Sequence, residues 1–430
     1  MAIPKLALIP AAQGTKLYSV LPANGVGDFA FTRGSSATRI NSQGLIETVA
    51  SGVSRLNYPL IDGVVNGCPS HLLEPSKQNT LSYSQDFFDS YWTKSGSSVN
   101  SNQETSPDGT LNADKLIENI DTVEHFLIRS IAIPIGNYTW SIFAKSAERK
   151  YIVLRTNADG GAYKNACFDV ELGVVVYDGL QNSEAKIEPF PNGWFRISGL
   201  SKESSGTTRN YQIHVSNSAI TDNGAISYTG DGTSGLYLYG AQLELGYKTS
   251  YIPTTTSAVT RSAETANGSG DASTFNDSEG VLMFEGSALA NDGTNRRISI
   301  SNGTTSNRLL LSYNSTSNEI QSFLANPTVQ FNFYHTLSNS IEFNKIAVKY
   351  KQNDFALWVN GVKVATDTNG TIANGLNTLN FDEGSGASDF YGNTKQIQYF
   401  DSALTDSELE ILTSWVSFTD MANGQLYTIE

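Results

Sequence analysis

Apolar residues along this chain recur at every second position in short runs, and clusters of Gly, Asn, Asp, Ser and Pro separate the runs. Alternation of this kind puts one face of an extended segment against a core and leaves the other outside. Between Ser106 and Glu244 the pattern predicts about eight strands: Leu111 to Glu118, His125 to Ile131, Tyr138 to Lys145, Tyr151 to Thr156, Ala166 to Asp169, Trp194 to Leu200, Tyr211 to Val215 and Leu236 to Glu244. Turn signals punctuate them, among them Ser-Pro-Asp-Gly at 106–109 and Pro-Asn-Gly at 191–193. Many short strands at this spacing predict a jelly-roll-like sandwich.

The last of these strands leads into the stretch Gly235 to Arg261, GLYLYGAQLELGYKTSYIPTTTSAVTR. It alternates through Leu236, Leu238, Ala241, Leu243 and Leu245, then passes into a Thr/Ser/Pro run that reads as unpaired chain. A linker is expected over 254–275, softest at Thr265 to Ser273 (TANGSGDAS), and the expected consequence is a hinge that proteases cut first. A second β series follows from Gly280 to Asp401. Its clearest element is DFALWVNGVKVATD: Phe355, Leu357 and Val359 share one face, Asn360-Gly361 suit a type I′ turn, and Val362 and Val364 return. Near the end a single helix is expected. Thr405 is its N-cap with Glu408 three residues on, Leu404 and Leu409 form a staple, and Leu409, Leu412, Trp415 and Val416 form an apolar stripe.

Residues 1–78 hold only short apolar pieces, such as Leu6 to Ile9, Leu17 to Leu21, Phe29 to Phe31 and Leu45 to Val49. Isolated hairpins of that size are marginal in water, so they need a partner surface: another copy, the next domain or a larger assembly. The fold class expected is all-β, with an N-terminal anchoring segment at 1–78, β-sandwiches at 79–253 and 276–430, and one short C-terminal helix.

Charge changes the picture in one respect. The chain of 430 residues carries a formal charge of −14, which disfavours nucleic acid and anionic membranes as partners. Residues 1–78 run the other way, with six basic side chains against four acidic ones, so this segment meets different surroundings. Cys68 and Cys167 support no disulfide framework or metal cluster and read as free, buried thiols. The start, MAIPKLALIP, is broken by Pro4 and Pro10 and does not read as a signal peptide, and no apolar run has the length of a membrane span. The expectation is a soluble product of a cytosol.

Three stretches carry a resemblance: DFAFTRGSSATRINSQGLIE (28–47), NGCPSHLLEPSKQNTLSYSQDF (66–87) with YWTKS (91–95), and GAQLELGYKTSYIPTTTSAVTR (240–261). In that order they resemble the N-terminal part of tailed-bacteriophage virion proteins of the head-spike, head-fibre or tail-appendage type, which carry carbohydrate-binding-module-like domains. The pair NKIAVKYKQNDFALWVNGVKVA (344–365) and QIQYFDSALTDSELEIL (396–412) resembles concanavalin-like or laminin-G-like domains. The resemblance implies a non-enzymatic protein on the virion surface, docked on capsid or tail through 1–78. It also implies a homotrimer and adhesion to host-surface polysaccharide. A glycan depolymerase and a ligand-free spacer are the alternatives.

No residue announces a reaction. Cys68 and His71 in CPSH are close in sequence, but a nucleophile also needs an oxyanion pocket, and the motif reads as a turn. Asp382-Glu383, with Asp389, lack the face-to-face geometry that glycoside hydrolysis requires and read as a solvated loop; a structural calcium held by Asp, Asn and loop carbonyls is the cofactor chemistry it offers. The histidines His71, His125, His214 and His335 have no ligand spacing. Aromatic faces are the candidates for sugar stacking: Tyr237 and Tyr239, whose alternation with Leu236 and Leu238 turns them outward, and Trp358, Tyr391 and Tyr399 in the second sandwich.

Overall fold

The computed structural model describes residues 2–157, 162–180, 184–204 and 206–415. The chain is all-β apart from short helical turns and the helix Asp406–Thr413. The first sandwich consists of two six-stranded antiparallel sheets. One runs in the order Thr93–Ser95, Phe126–Ala132, Thr208–Ser216, Tyr151–Thr156, Lys164–Asp169 and Val174–Asp178. The other runs Ser97–Thr105, Leu111–Glu118, Gly235–Leu245, Gly136–Ser146, Trp194–Glu203 and Lys186–Phe190. Leu116, Trp140, Ile142, Leu154, Phe168, Ile213, Leu236, Leu238 and Leu243 fill the space between the sheets. The stretch Gly235 to Arg261 is the seam of the chain, and in its strand Gly235–Leu245 the apolar Leu236, Leu238, Ala241 and Leu243 enter this core as their sequence dictates.

In the second sandwich a five-stranded sheet, Thr328–Thr336, Glu319–Asn326, Arg308–Tyr313, Arg296–Ser301 and Thr378–Asn380, faces a nine-stranded one. The strand Gly392–Phe400 is the spine of the larger sheet. It pairs with Glu279–Ala288 on one side and with Leu6–Leu8 and Ser70–Leu73 on the other. The hairpin Phe355–Val359 and Val362–Asp367 turns on Asn360 (φ 49°) and Gly361 (φ 84°), as its Asn-Gly predicts. Phe355, Leu357 and Val359 enter the inter-sheet core, whereas Ala356 and Trp358 lie on the opposite face under Leu404, Leu409 and Leu412 of the helix. That helix has the expected capping box at Thr405 and Glu408. Val416, the last member of its predicted stripe, lies outside the described residues.

Residues 1–78 find their partner surface within the chain. Leu6, Leu8, Leu17, Phe29, Phe31 and Leu73 all belong to the core of the second sandwich. The hairpin Ala37–Ile40 and Ile46–Val49 packs elsewhere, with Ile46 and Ile40 against Phe143, Trp194, Tyr239 and Tyr251 of the first. One segment therefore bridges both sandwiches.

The stretch 254–275, expected to be a soft linker, is exposed at 255–260 and 271–273 but anchored between and around them by two ladders and by buried side chains. Val259–Arg261 ladders with Lys77–Asn79, and Thr265–Asn267 ladders with Phe29–Thr32. Thr254, Arg261, Glu264, Ala266 and Ser269 are all buried. The composition suited a linker because short hydroxyl side chains serve water and protein equally well; here Thr254 Oγ1 donates to Leu81 O (2.8 Å) and Ser269 Oγ to Gly27 O (2.7 Å). Limited trypsin digestion of the folded chain is accordingly expected to spare Arg261 while exposed sites such as Lys202 and Lys363 are cut. Peptide mass spectrometry over a time course checks this, and early cleavage at Arg261 would restore the hinge.

Candidate functional site

Three of the five aromatic residues expected to stack on sugar are buried. Tyr239 does lie on the face opposite Leu236 and Leu238, but the N-terminal hairpin and Tyr251 cover that face. Its hydroxyl donates to Asp108 Oδ2 (2.9 Å) and accepts from Gln85 Nε2 (2.7 Å). Trp358 lies beneath the helix, and Tyr399 is held in the core by Tyr350, hydroxyl to hydroxyl at 2.8 Å. None of these three presents a ring face to a ligand. Tyr237 and Tyr391 are half-buried, and the Tyr391 hydroxyl donates to Asp389 Oδ2 (3.1 Å). The five are not gathered into one place.

The acids and the Cys-Pro-Ser-His turn also resolve into separate roles. Asp382 is 2 % exposed rather than solvated and accepts from Gly384 N (2.5 Å), and burial pushes its pKa up. Glu383 is ion-paired with Arg297. Cys68 is exposed, contrary to expectation, because it sits in the turn before the strand Ser70–Leu73; Cys167 is buried. His71 is buried inside that strand with both ring nitrogens unpartnered, and burial lowers its pKa to about 4, so it is neutral. Among the described residues no group of three or more His, Cys, Asp and Glu side chains is arranged to hold a metal ion.

What the fold does assemble is a cleft where the bridging segment, the seam and both sandwiches meet. A cavity of about 290 Å³ opens there, and a larger recess of about 910 Å³ adjoins it, the two sharing Glu188, Lys248 and Leu289. The smaller volume is at the lower end of ligand cavities (roughly 300–1,000 Å³). Its floor is apolar: Phe143 meets Phe190 edge-on at 5.0 Å and Tyr251 edge-on at 6.0 Å, with Ile40 and Ile46 alongside. Phe143 and Arg196 come from neighbouring strands of the first sandwich, Lys248 to Tyr251 from the seam, Arg39 and Asn57 from the bridging segment, and Leu289 and Asn393 from the second sandwich.

The polar wall is charged. Lys248 forms an ion pair with Glu188, and Arg39 Nε donates to Glu47 Oε2 (2.7 Å). Arg196 lies over the Phe143 ring at 5.3 Å, donating to Thr249 O (2.8 Å) and Ser141 Oγ (3.1 Å). Burial pushes the pKa of both Lys248 and Arg196 down, against the opposing pull of Glu188. Perturbed ionisable groups converging on a cleft make it a candidate functional site, as structural ion pairs perturb pKa in the same way. Asn57 accepts from Ile40 N (2.9 Å) through Oδ1, and Asn393 accepts from Ser70 Oγ (3.1 Å), so both carboxamides are fixed at the rim.

Behind the cavity the three parts of the chain are joined by buried charges. Glu264 Oε1 accepts from Arg33 Nη1 (2.6 Å) and Arg55 Nε (2.9 Å), while its Oε2 accepts from Glu74 N (2.8 Å) and pairs with Arg55 Nη2. Glu74 pairs with Arg55 and Arg261, each at 2.8 Å, and accepts from Ser250 N and Oγ at 2.8 and 2.6 Å. Ser250 lines the cavity, so this network fixes the seam side of the site. The sequence offered one signal for the cavity wall: a charged side chain flanked by apolar ones, Arg196 between Phe195 and Ile197 and Glu188 between Ile187 and Pro189.

No protein-family model matches the chain, and no curated protein matches it. Solved structures do show likeness. A carbohydrate-binding module of family 40 from the Ruminococcus gnavus IT-sialidase, bound to α2,3-sialyllactose, is 18% identical, with 32% of this chain and 84% of that one covered and a TM-score of 0.29. The CBM22 tandem of Paenibacillus barcinonensis Xyn10C is 10% identical over 77% of this chain and all (100%) of that one, with a TM-score of 0.26. Domains LG4-5 of the mouse laminin α1 chain are 11% identical over 66% and 90%, with a TM-score of 0.23. At these scores the likeness does not bear on ligand or activity, and the reading of the cleft rests on its own residues.

Proposed function

We propose that this protein is a non-catalytic adhesin that holds a carbohydrate in the cleft between its two sandwiches. The observation that carries the reading is the combination in one cavity of aromatic rings, of which Phe190 is half-buried while Phe143 and Tyr251 are buried, with fixed carboxamides and charged side chains at its wall. A pyranose buries its C–H face on such rings and satisfies its hydroxyls with such groups. The motif resemblance to phage virion proteins makes a surface spike or fibre, displayed in several copies and trimeric, the setting in which a weak single site gains avidity. In that setting docking to capsid or tail uses side chains of 1–78 that stay exposed, such as Ile3, Ile9, Val20 and Val64, since its strands are spent on the chain's own sheets.

The test uses the full chain, because the second sandwich borrows strands from 1–78 and residues 262–430 are not a complete unit. On a glycan array and on host cells the chain is expected to bind, and Lys248→Met is expected to weaken that binding about tenfold. A folded protein that binds no glycan at high concentration would leave only a spacer role. Release of new reducing ends from host polysaccharide would make it a depolymerase.

A further inference from the structure

Arg196 is 6 % exposed, yet among the described residues it makes no ion pair. Its two hydrogen-bond partners are neutral acceptors, Thr249 O and Ser141 Oγ, and its Nε has none. Buried charges are as a rule paired, because two neutral hydrogen bonds do not repay the loss of water around a cation. Every carboxylate facing it is engaged elsewhere. Glu188 serves Lys248, Glu74 serves Arg55 and Arg261, and Glu244 accepts from Gln242 Nε2 (2.6 Å) and Thr249 N (3.0 Å). Of the three cations in the cavity wall, Arg39 and Lys248 are paired with Glu47 and Glu188, which leaves Arg196, among the described residues, as the cation in excess. This local excess of positive charge stands in a chain whose formal charge is −14.

From this we infer that the sugar held in the cleft is an acidic one, its carboxylate resting against Arg196 while its ring lies against the half-buried Phe190. The inference rests on the carbohydrate reading of the same cleft and narrows it to uronic or nonulosonic acids. A guanidinium presents a planar fork that matches a carboxylate, and its stacking on Phe143 fixes the plane of that fork. Neutral hexoses would leave the buried cation as it is, so they gain nothing from it. The cavity of about 290 Å³ suits one or two sugar units, which means a terminal or branch residue and not a long internal stretch.

The experiment is a binding titration of the full chain with matched pairs: oligogalacturonate, oligoguluronate and sialyllactose, each beside its carboxyl-reduced counterpart. At least one acid form is expected to bind about tenfold tighter than its reduced partner, and the difference is expected to shrink as salt is raised. Arg196→Gln is expected to abolish the preference and Arg196→Lys to keep part of it. The wild-type comparison stands without either variant should one fail to fold. Equal affinity for acid and reduced forms would overturn the acidic-sugar inference and leave carbohydrate binding intact. Absence of binding to every member of the set would overturn both.

Discussion

Replacing Glu264 with alanine is expected to destabilise the protein by about 3–5 kcal/mol. The side chain is wholly buried and its two oxygens are shared among Arg33, Arg55 and the Glu74 amide. In the native cluster three guanidiniums, of Arg33, Arg55 and Arg261, face two carboxylates, of Glu74 and Glu264. Removing Glu264 leaves the same three cations against one carboxylate in a place water does not reach. Glu264→Gln, which keeps the volume and drops the charge, is expected to cost nearly as much, and that separates electrostatics from packing. Glu47→Ala is the contrast: its partner is also an arginine, Arg39, but the Glu47 side chain is 44 % exposed, so the cost is at most about 1 kcal/mol. Guanidinium denaturation reads all three, and values for both Glu264 variants within about 1 kcal/mol of wild type would refute the account.

The same cluster sets an acid limit. Burial pushes the Glu74 carboxyl up, but Arg261, Arg55 and the two Ser250 hydrogen bonds outweigh it and hold the pKa at about 2, against an ordinary 4.5. A carboxyl whose folded pKa is depressed contributes stability that is full above pH 4.5 and is lost as pH falls from there through 2. Because Glu74 of the bridging segment is bonded to Ser250 of the seam, 176 positions along the chain, acid should part the two early.

How far the sequence spoke depended on whether a strand's second face met water. Leu111 to Glu118 and Tyr151 to Thr156 were legible to the residue because each carries a short apolar run bounded by turn residues and sends side chains, Leu116, Ile152 and Leu154, into the main core. Ser97–Thr105 was invisible: it is an edge strand in which Val99 alone is buried, so its SSVNSNQET carries no apolar period. Lys186–Phe190 is an edge strand as well, and its Pro189 argues against a ladder position until the unpaired side is known. Tyr239 shows the limit most clearly. Its alternation was read correctly, and the face it lies on is nonetheless dry, because residues about 200 positions away in the chain fold over it. The candidate site escaped for the same reason, since its walls come from stretches scattered between Thr38 and Asn393, and only Thr38 to Ile40 and Lys248 to Tyr251 are runs of neighbours in sequence.

Gly235→Ala is expected to be the other severe change, at about 3 kcal/mol or more. Gly235 opens the seam strand, opposite Ile117 of the neighbouring strand. A β-carbon there would stand 1.9 Å from Leu116 O and 2.9 Å from Leu116 C, both backbone atoms of a paired strand that cannot swing aside as a flexible side chain would. The clash is relieved only by prising Leu111–Glu118 away from Gly235–Leu245, which lie side by side in the middle of their sheet. The glycine's own backbone is also in use, since its carbonyl accepts from Arg149 N (2.9 Å) and its amide donates to Glu148 Oε2 (3.2 Å). Gly52→Ala tests whether steric contact and not loss of glycine is the cause: Gly52 has nothing within 4 Å of such a β-carbon and only a positive φ of 72° to disturb, so its cost is expected near ~1 kcal/mol. Thermal melts of the two variants decide the matter, and similar shifts for both would show that the approach of the strands at Gly235 is not what holds the seam in register.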